Sequence, residues 1–309
     1  MKLALLFPGQ GAQFAGMGRS LYEQFEEVRQ VFDIAARVTG EDVWSWCADE
    51  ERLKQTQYVQ PVMVALGIAL TDVLTGRYGV KPQACAGLSL GEYAALVAGG
   101  ALDAAEALRL VGIRGKLMQQ ATGGAMAAVL GMERSAVEQA CQQARDGGEK
   151  VWPCNYNCPG QIVISGDANG VAAATTILQG MGARRVMALN VGGPFHTPLM
   201  ASAADAFAGE LFTAKLRRPS IPVYSNVTAQ PHGEPAELRL QLHRQITSPV
   251  RWEDTLLAMG AAGVDTFLEL GPGKTVSGFV KKTLDGVAIY NIEDLDGLCA
   301  VLQKLEVAL

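Results

Sequence analysis

The sequence predicts an α/β protein with a largely parallel sheet and a small inserted subdomain. Strand-like and helix-like segments alternate along the 309 residues, as a parallel sheet with crossover helices requires. Between residues 125 and 190 the order changes to strand–helix–strand–strand–helix–strand, which is typical of the ferredoxin-like fold. We therefore predict a core formed by residues 1–124 and 191–309 and a ferredoxin-like subdomain formed by residues 125–190.

The elements of the core are predicted from short apolar runs that end at glycine or proline. The first strand is Leu3–Phe7, and a glycine-rich turn follows it. The next helix is predicted to begin at Ser20, which would form a capping box with Glu23, and to end near Val38. Further core strands are predicted at 83–88, 221–227 and 266–270, and helices at 90–98 and 103–121.

The inserted subdomain is predicted from four short apolar runs and two helical stretches. The polar, proline-containing stretch 229–234 lies after it and is predicted to be a surface loop, which would expose His232. The strands of the subdomain are predicted at 125–130, 151–156, 161–165 and 185–189, and its helices at 135–145 and 168–181.

The composition indicates a compact globular protein. Hydrophobic residues make up 49% of the chain and charged residues 18%, which excludes a disordered protein. The net charge of −5 argues against nucleic-acid binding. The cysteines lack zinc-site spacing, since Cys154 and Cys158 have no second Cys/His pair. The apolar stretch 61–74 is too short to span a bilayer, and no signal peptide is evident. We expect a cytoplasmic monomer without metal, cofactor or membrane contact.

The stretch Gly87-Leu88-Ser89-Leu90-Gly91 matches G-x-S-x-G, the nucleophile elbow. In this motif a sharp strand-to-helix turn lifts the serine hydroxyl off the backbone, and the glycines remove side chains that would collide with the strand and helix. The pattern alone also fits an ordinary glycine-flanked turn. The apolar run before it and the predicted helix after it favour a catalytic Ser89.

A serine hydroxyl needs a base to become a nucleophile, and the chain has three histidines. Two lie in polar segments and are predicted at the surface. His196 lies directly before a helix that Thr197 can cap and Pro198 can begin. The positive end of that helix would keep the imidazole neutral, as a base requires. The alternative is a histidine that merely packs near a helix start; its pairing with Ser89 favours the base.

Arg114 is predicted to lie on the inward face of its helix. Asp103 and Glu106 form a capping pair at the helix start. The apolar residues three or four positions apart on the face of Arg114 are Ala107, Val111 and Met118. A guanidinium on that face needs an anionic partner. An internal salt bridge, for example with Glu92, and a substrate carboxylate are the two alternatives.

Taken together, these motifs resemble those of the malonyl-CoA:acyl carrier protein transacylase family. The resemblance extends over nearly the whole chain. The motifs that carry it are FPGQGAQ at 7–13, GLSLGEY at 87–93, RGKLMQ at 114–119, NYNCPGQ at 155–161, GPFH at 193–196, Gln245 with SPVRW at 248–252, and ELGPG at 269–273.

The resemblance implies a hydrolase-like α/β core that carries a ferredoxin-like subdomain. It also implies that Ser89 is acylated by malonyl-CoA with His196 as its base, and that the malonyl group passes to the phosphopantetheine thiol of an acyl carrier protein. The backbone N–H groups of Gln10 and Leu90 would form the oxyanion hole. Arg114 would bind the malonyl carboxylate through two hydrogen bonds.

The resemblance assigns three more residues to the site. The backbone carbonyl of Gln245 would orient the histidine, Phe195 is typical of malonyl-preferring members, and Asn157 would contact substrate. One position departs from the family, which usually has histidine before the serine, where this chain has Leu88.

Two other functions and the identity of the carrier protein stay open at this point. A serine acyl hydrolase would need a carboxylate on its histidine, for which chain order offers Asp103, Asp146 or Asp167. A non-catalytic scaffold for carrier proteins is disfavoured because Ser89, His196 and Arg114 are all present. Within the transferase interpretation, the carrier protein can belong to fatty-acid synthesis or to a polyketide assembly line.

Overall fold

Two separate β-sheets organise the protein, for which a computed structural model describes residues 1–307. The nine strands in this range are β1 (Leu3–Phe7), β2 (Ala84–Gly87), β3 (Gly124–Leu130), β4 (Val151–Cys158), β5 (Gln161–Asp167), β6 (Arg185–Ala188), β7 (Val223–Tyr224), β8 (Thr266–Leu270) and β9 (Ala288–Ile292). The core sheet is parallel, in the order β7-β2-β1-β8-β9. The subdomain sheet is antiparallel, in the order β4-β5-β3-β6. The predicted fold class is confirmed.

Helices cover the core sheet and pack on one face of the smaller sheet. The residues described contain α1 (Arg19–Gln24), α2 (Glu26–Thr39), α3 (Val43–Trp46), α4 (Thr56–Asp72), α5 (Gly91–Ala98), α6 (Ala104–Gln120), α7 (Arg134–Asp146), α8 (Ala168–Gly180), α9 (Ala201–Thr213), α10 (Pro235–Gln245), α11 (Trp252–Ala261), α12 (Thr275–Thr283) and α13 (Leu295–Lys304). Helices α7 and α8 belong to the subdomain and give it the predicted ferredoxin-like order.

The first predicted helix is interrupted, and its capping box is wrong. The chain forms α1 and α2 with a break at Phe25, whose backbone is extended at φ −112° and ψ 129°. Phe25 is buried there, so tertiary packing of the ring overrides the local helical pattern. The hydroxyl of Ser20 accepts a hydrogen bond from Leu295 N instead of capping its own helix. By contrast, Asp103 does cap α6 by accepting from Glu106 N.

Helix α4 is the central helix of the core. It continues into a short π-helical turn, and the combined stretch Thr56–Arg77 is long and apolar enough to cross a membrane. However, 83% of its most apolar window is buried inside the protein, and α4 packs against α2, α5 and α6. The segment is therefore longer than the sequence predicts, and its apolar surface is used in the core.

The sheet register brings the functional segments together. β1 and β2 pair in parallel with Phe7 opposite Gly87, so the turn after β1 and the elbow after β2 leave the same edge of the sheet. The subdomain is attached near this edge, because β4 bonds to the core through Tyr156 N and Val250 O at 2.9 Å. Its two connections to the core lie side by side, joined by the 3.2 Å hydrogen bond from Gly124 N to Gly192 O. The residue boundaries of the two domains remain a prediction.

Candidate active site

Ser89 occupies a strained turn between β2 and α5. Its φ is 54°, in the left-handed region that non-glycine residues rarely adopt and that is enriched at functional sites. A Cβ atom on Gly87 would collide with the backbone of Gly91, and one on Gly91 would lie 2.5 Å from the carbonyl oxygen of Phe7. The tight turn therefore requires both glycines, as the motif predicts.

The side chain of Asn226 stabilises this turn through two hydrogen bonds to its backbone. Its Oδ1 accepts a 2.7 Å hydrogen bond from Ser89 N, and its Nδ2 donates a 2.7 Å bond to the carbonyl of Gly87. Sequence analysis does not identify Asn226, because 137 residues separate it from Ser89. Its only local signal is its position directly beyond a core strand.

Ser89 and His196 form a hydrogen-bonded pair. The distance from Ser89 Oγ to His196 Nε2 is 2.8 Å, and His196 Nδ1 lies 2.8 Å from the backbone carbonyl of Gln245. A carbonyl oxygen only accepts, so Nδ1 carries the proton and the lone pair of Nε2 faces the serine hydroxyl. His196 also has a positive φ, 60°. This arrangement can remove the proton of Ser89.

Burial and a neighbouring cation hold His196 neutral. Burial, and then the positive charge of Arg114, lower the pKa of His196 to about 4. The segment after it, Pro198–Met200, is a single 3₁₀ turn. The hydroxyl of Thr197 donates to the carbonyl of Pro194 instead of capping this turn. Desolvation and a neighbouring cation therefore favour the neutral base.

This lowered pKa gives a testable pH dependence. Because the neutral imidazole is the base, labelling of Ser89 by an uncharged fluorophosphonate should be constant from pH 8 down to about pH 5. The rate should reach half its maximum near pH 4, where His196 becomes protonated. This rate is measured by quenching the labelling reaction at a series of times and quantifying the labelled protein by mass spectrometry. An inflection near the ordinary value of 6.5 would show that His196 is not perturbed as the structure indicates.

Arg114 lies behind the serine and is 1% exposed. Its Nη1 donates to Gln60 Oε1 at 2.6 Å, and its Nη2 donates to Ser89 Oγ at 3.1 Å and to Gln245 Oε1 at 2.9 Å. None of these partners is charged, so the internal salt bridge with Glu92 is wrong. Sequence analysis does not identify Gln60, because α4 carries no recognisable motif. The guanidinium is prepared to receive an anion beside the nucleophile.

The surroundings of Arg114 are costly for a cation without an ionic partner. Burial lowers the pKa of Arg114, although the charge of Glu92 opposes this shift. The ring of Tyr93 lies 5.8 Å from the guanidinium carbon and gives partial compensation. Arg114 Nε has no hydrogen-bond partner within residues 1–307. A buried charge with unused donors is typical of a site for a carboxylate.

A cavity of about 490 Å³ opens in front of Ser89 and lies between the edge of the core sheet and the subdomain. Gln10 and Leu90 belong to its wall. Neither backbone amide donates to an acceptor elsewhere in the described range 1–307. Free amides beside a nucleophile can stabilise an oxyanion.

Three residues that the sequence analysis singles out also line this cavity: Phe195, Asn157 and Leu88. Phe195 is buried next to the base. Asn157 is also buried, and its Oδ1 has no partner among the residues that the structure describes. Leu88 places an apolar side chain where the family usually has an imidazole, without displacing the Ser89–His196 pair. The predicted site residues therefore line this cavity, except Arg114 and Gln245, which lie behind its wall and contact Ser89 and His196.

The predicted exposure of His232 is wrong. The side chain is fully buried, and Nε2 lies 2.7 Å from Glu92 Oε1. The loop that carries His232 folds back on the core sheet, where His232 N donates to the carbonyl of Val223 at 2.8 Å. Local polarity indicated a surface loop because this contact spans 140 residues.

None of the three candidate aspartates reaches His196. Asp103 and Asp167 cap α6 and α8, and Asp146 accepts from Gln142 on its own helix. The Nδ1 of His196 is instead occupied by a carbonyl. Within residues 1–307, no group of three or more His, Cys, Asp or Glu side chains could hold a metal ion. All six cysteines are free thiols.

Comparison with known proteins identifies relatives over the full length of the chain. The acyl transferase domain family matches residues 4–298. The malonyl CoA-acyl carrier protein transacylase of Bacillus subtilis is 40% identical over 310 residues, which cover 99% of this chain and 98% of the relative.

Solved structures show the same similarity. An acyl carrier protein S-malonyltransferase from Vibrio cholerae has a TM-score of 0.93 and 40% identity, covering 97% of this chain and 100% of that one. A malonyl-transacylase in complex with its type II polyketide synthase acyl carrier protein has a TM-score of 0.95 and 36% identity, covering 98% and 100%.

Proposed function

Because the chain belongs to the acyl transferase family that contains the malonyl CoA-acyl carrier protein transacylases, we propose that Ser89 and His196 are its catalytic nucleophile and base. The enzyme transfers a malonyl group from malonyl-CoA to the phosphopantetheine thiol of an acyl carrier protein. The observation that carries the assignment of the site is the buried Arg114 guanidinium, which contacts the serine that is paired with a neutral histidine.

In the first half-reaction, His196 Nε2 takes the proton of Ser89 Oγ as the oxygen attacks the thioester carbonyl of malonyl-CoA. The carbonyl oxygen becomes negative, and the amides of Gln10 and Leu90 donate to it. The C–S bond then breaks, and the proton on His196 passes to the departing CoA sulfur. The product is a malonyl ester of Ser89 and free CoA.

The second half-reaction repeats these steps with a different thiol. His196 takes the proton of the phosphopantetheine thiol, and the sulfur attacks the seryl ester. When the C–O bond breaks, the proton returns from His196 to Ser89 Oγ. The carbonyl of Gln245 holds Nδ1 throughout, and it stabilises the imidazolium through its dipole in place of the carboxylate of a triad.

Arg114 selects the acyl group in this mechanism. Its Nη2 lies 3.1 Å from Ser89 Oγ, so a carboxylate whose carbon is two bonds from the reacting carbon can pair with the guanidinium. The ring of Phe195 crowds the space beside the base and disfavours an α-methyl branch. Asn157 Oδ1 is a free acceptor in the wall of the cavity and is suited to an N–H donor of the pantetheine arm.

A serine hydrolase is the weaker alternative. It would use a carboxylate to orient its histidine, whereas His196 is oriented by a backbone carbonyl and the three candidate aspartates bind elsewhere. A hydrolase would also have no use for a buried cation at the acyl site. A carrier protein of polyketide synthesis is the second candidate acceptor, because the relative solved with such a carrier shares the fold of this chain at a TM-score of 0.95.

We also propose that the enzyme acts as a soluble cytoplasmic protein. Its long apolar helix is packed inside the core, and its cysteines are unpaired thiols, as in a reducing compartment. Fractionation of cells that produce the protein at its natural level would test this location. The monomeric state remains a prediction.

The covalent intermediate provides the test of the proposed chemistry. Incubation with malonyl-CoA in the absence of carrier protein should add one malonyl group to the chain, and peptide mapping should locate it at Ser89. Ser89→Ala should carry no malonyl group, because the attacking oxygen is gone. Intact-protein mass spectrometry measures both. Malonylation of Ser89→Ala to the same extent would contradict the assignment of the nucleophile.

A further inference from the structure

The side chain of Gln245 joins the carboxylate site to the nucleophile. Its Oε1 accepts from Arg114 at 2.9 Å, while its Nε2 donates to the carbonyl of Ser89 at 3.0 Å and to Glu92 Oε2 at 2.5 Å. Gln245 is 1% exposed. A side-chain amide in this position can adopt two orientations that exchange oxygen and nitrogen, and only one of them offers Arg114 an acceptor.

Glu92 is the charged one of the two acceptors that fix this orientation, and the carbonyl of Ser89 is the other. An ionised carboxylate accepts hydrogen bonds only, and a guanidinium donates only. With Glu92 on one side and Arg114 on the other, the amide must direct Nε2 to Glu92 and Oε1 to Arg114. Glu92 belongs to the first turn of α5, three residues beyond the nucleophile, and is itself buried.

His232 and Asn226 hold Glu92 in place. His232 Nε2 donates to Glu92 Oε1 at 2.7 Å, and Asn226 N donates to Glu92 Oε2 at 3.3 Å. Among residues 1–307, His232 is the one basic side chain within salt-bridge distance of this carboxylate. The group therefore consists of a buried acceptor surrounded by donors, one of which belongs to Gln245.

We propose that Glu92, held by His232, is a positioning residue that orients the Gln245 amide and thereby the Arg114 guanidinium that receives the substrate carboxylate. This inference rests on the proposed function, since it concerns malonyl selection. The orientation of His196 is independent of it, because His196 uses the backbone carbonyl of Gln245 and not the side chain.

Glu92→Ala is expected to lower the ratio of malonyl to acetyl specificity constants by about tenfold, since the Gln245 amide then keeps only the neutral Ser89 carbonyl as an acceptor and holds the Arg114 guanidinium less firmly. Labelling of Ser89 by a fluorophosphonate should change by less than about threefold, because the base keeps its orientation. A merely structural role would reduce labelling and both transfer activities together.

Glu92→Gln should retain the ratio to within about threefold. His232 Nδ1 has no partner in the described part of the chain, so the imidazole can carry its proton there and accept at Nε2 from the new amide. The oxygen of residue 92 then still accepts from Gln245. Glu92→Leu has a similar length but no acceptor, so its ratio should fall as in Glu92→Ala. This variant leaves a smaller cavity and replaces Glu92→Ala if the latter does not fold.

Leu298→Ala is the matched control for stability. Leu298 is fully buried on α13, away from the cavity, and its loss should lower the melting temperature without changing the ratio. A wild-type enzyme without malonyl preference would overturn the proposed function and this inference together. A wild-type preference that persists in Glu92→Ala, or in Glu92→Leu, would overturn the positioning role alone. So would a Glu92→Gln ratio as low as that of Glu92→Ala.

Discussion

His196→Ala is expected to reduce malonyl transfer by a factor of about 10²–10⁴, the usual contribution of a general base. In the wild type, Nε2 lies 2.8 Å from Ser89 Oγ with its lone pair facing the hydroxyl. Without the imidazole, among residues 1–307 the hydroxyl keeps one side-chain neighbour within hydrogen-bond distance, Arg114, which is a donor and cannot take a proton. Both half-reactions should slow, because each begins with proton transfer to the same nitrogen.

The measurement is the single-turnover rate of malonyl-enzyme formation followed by the rate of transfer to carrier protein. His243→Ala is the matched control, since His243 lies on α10 with a half-exposed side chain whose Nε2 is 4.0 Å from Asp205 Oδ1 on α9. It should leave both rates unchanged. If His196→Ala kept more than about a tenth of the wild-type rate, another group would be the base.

The fold could be predicted well where the signal is local. Short apolar runs bounded by turn residues predict the ends of β1, β8 and all four subdomain strands to within two or three residues. This works because a buried strand needs only that local pattern. The strand predicted at 221–227 is only two residues long in the structure. The interrupted first helix shows the opposite case, since the burial of Phe25 is decided by the rest of the core.

The residues of the site also differ in whether a local sequence signal reveals them. Ser89 and Gly87 are recognisable because the elbow is a local conformation with its own residue requirements. Asn226 and His232 are not recognisable, since each acts through contacts that span more than 130 residues. Polar residues in a loop after a strand look like solvent-exposed residues until the partner carboxylate or amide is placed beside them.

Arg114→Ala should have the second large effect, on substrate choice. The guanidinium would form charge-assisted hydrogen bonds with the malonyl carboxylate, each worth about 1.5–3 kcal/mol. Because each 1.36 kcal/mol corresponds to a factor of ten, the specificity constant for malonyl-CoA should fall at least about tenfold. Acetyl-CoA has no carboxylate, so it loses none of this binding. Its transfer or hydrolysis should stay constant or rise relative to that of malonyl-CoA.

Arg114→Ala also removes hydrogen bonds from Gln60, Ser89 and Gln245. These losses affect the protein with either substrate, so they cancel in the ratio of the two specificity constants. The melting temperature and fluorophosphonate labelling of Ser89 report separately on whether the fold and the nucleophile remain intact.

The ratio of malonyl to acetyl specificity constants, measured in wild type and in Arg114→Ala with the same carrier protein, tests most directly whether the buried cation selects the substrate. We expect a wild-type ratio well above one and a decrease of at least about tenfold in the variant. An unchanged ratio in a folded variant that still labels at Ser89 would contradict the assignment, and would make Arg114 a structural residue of the core.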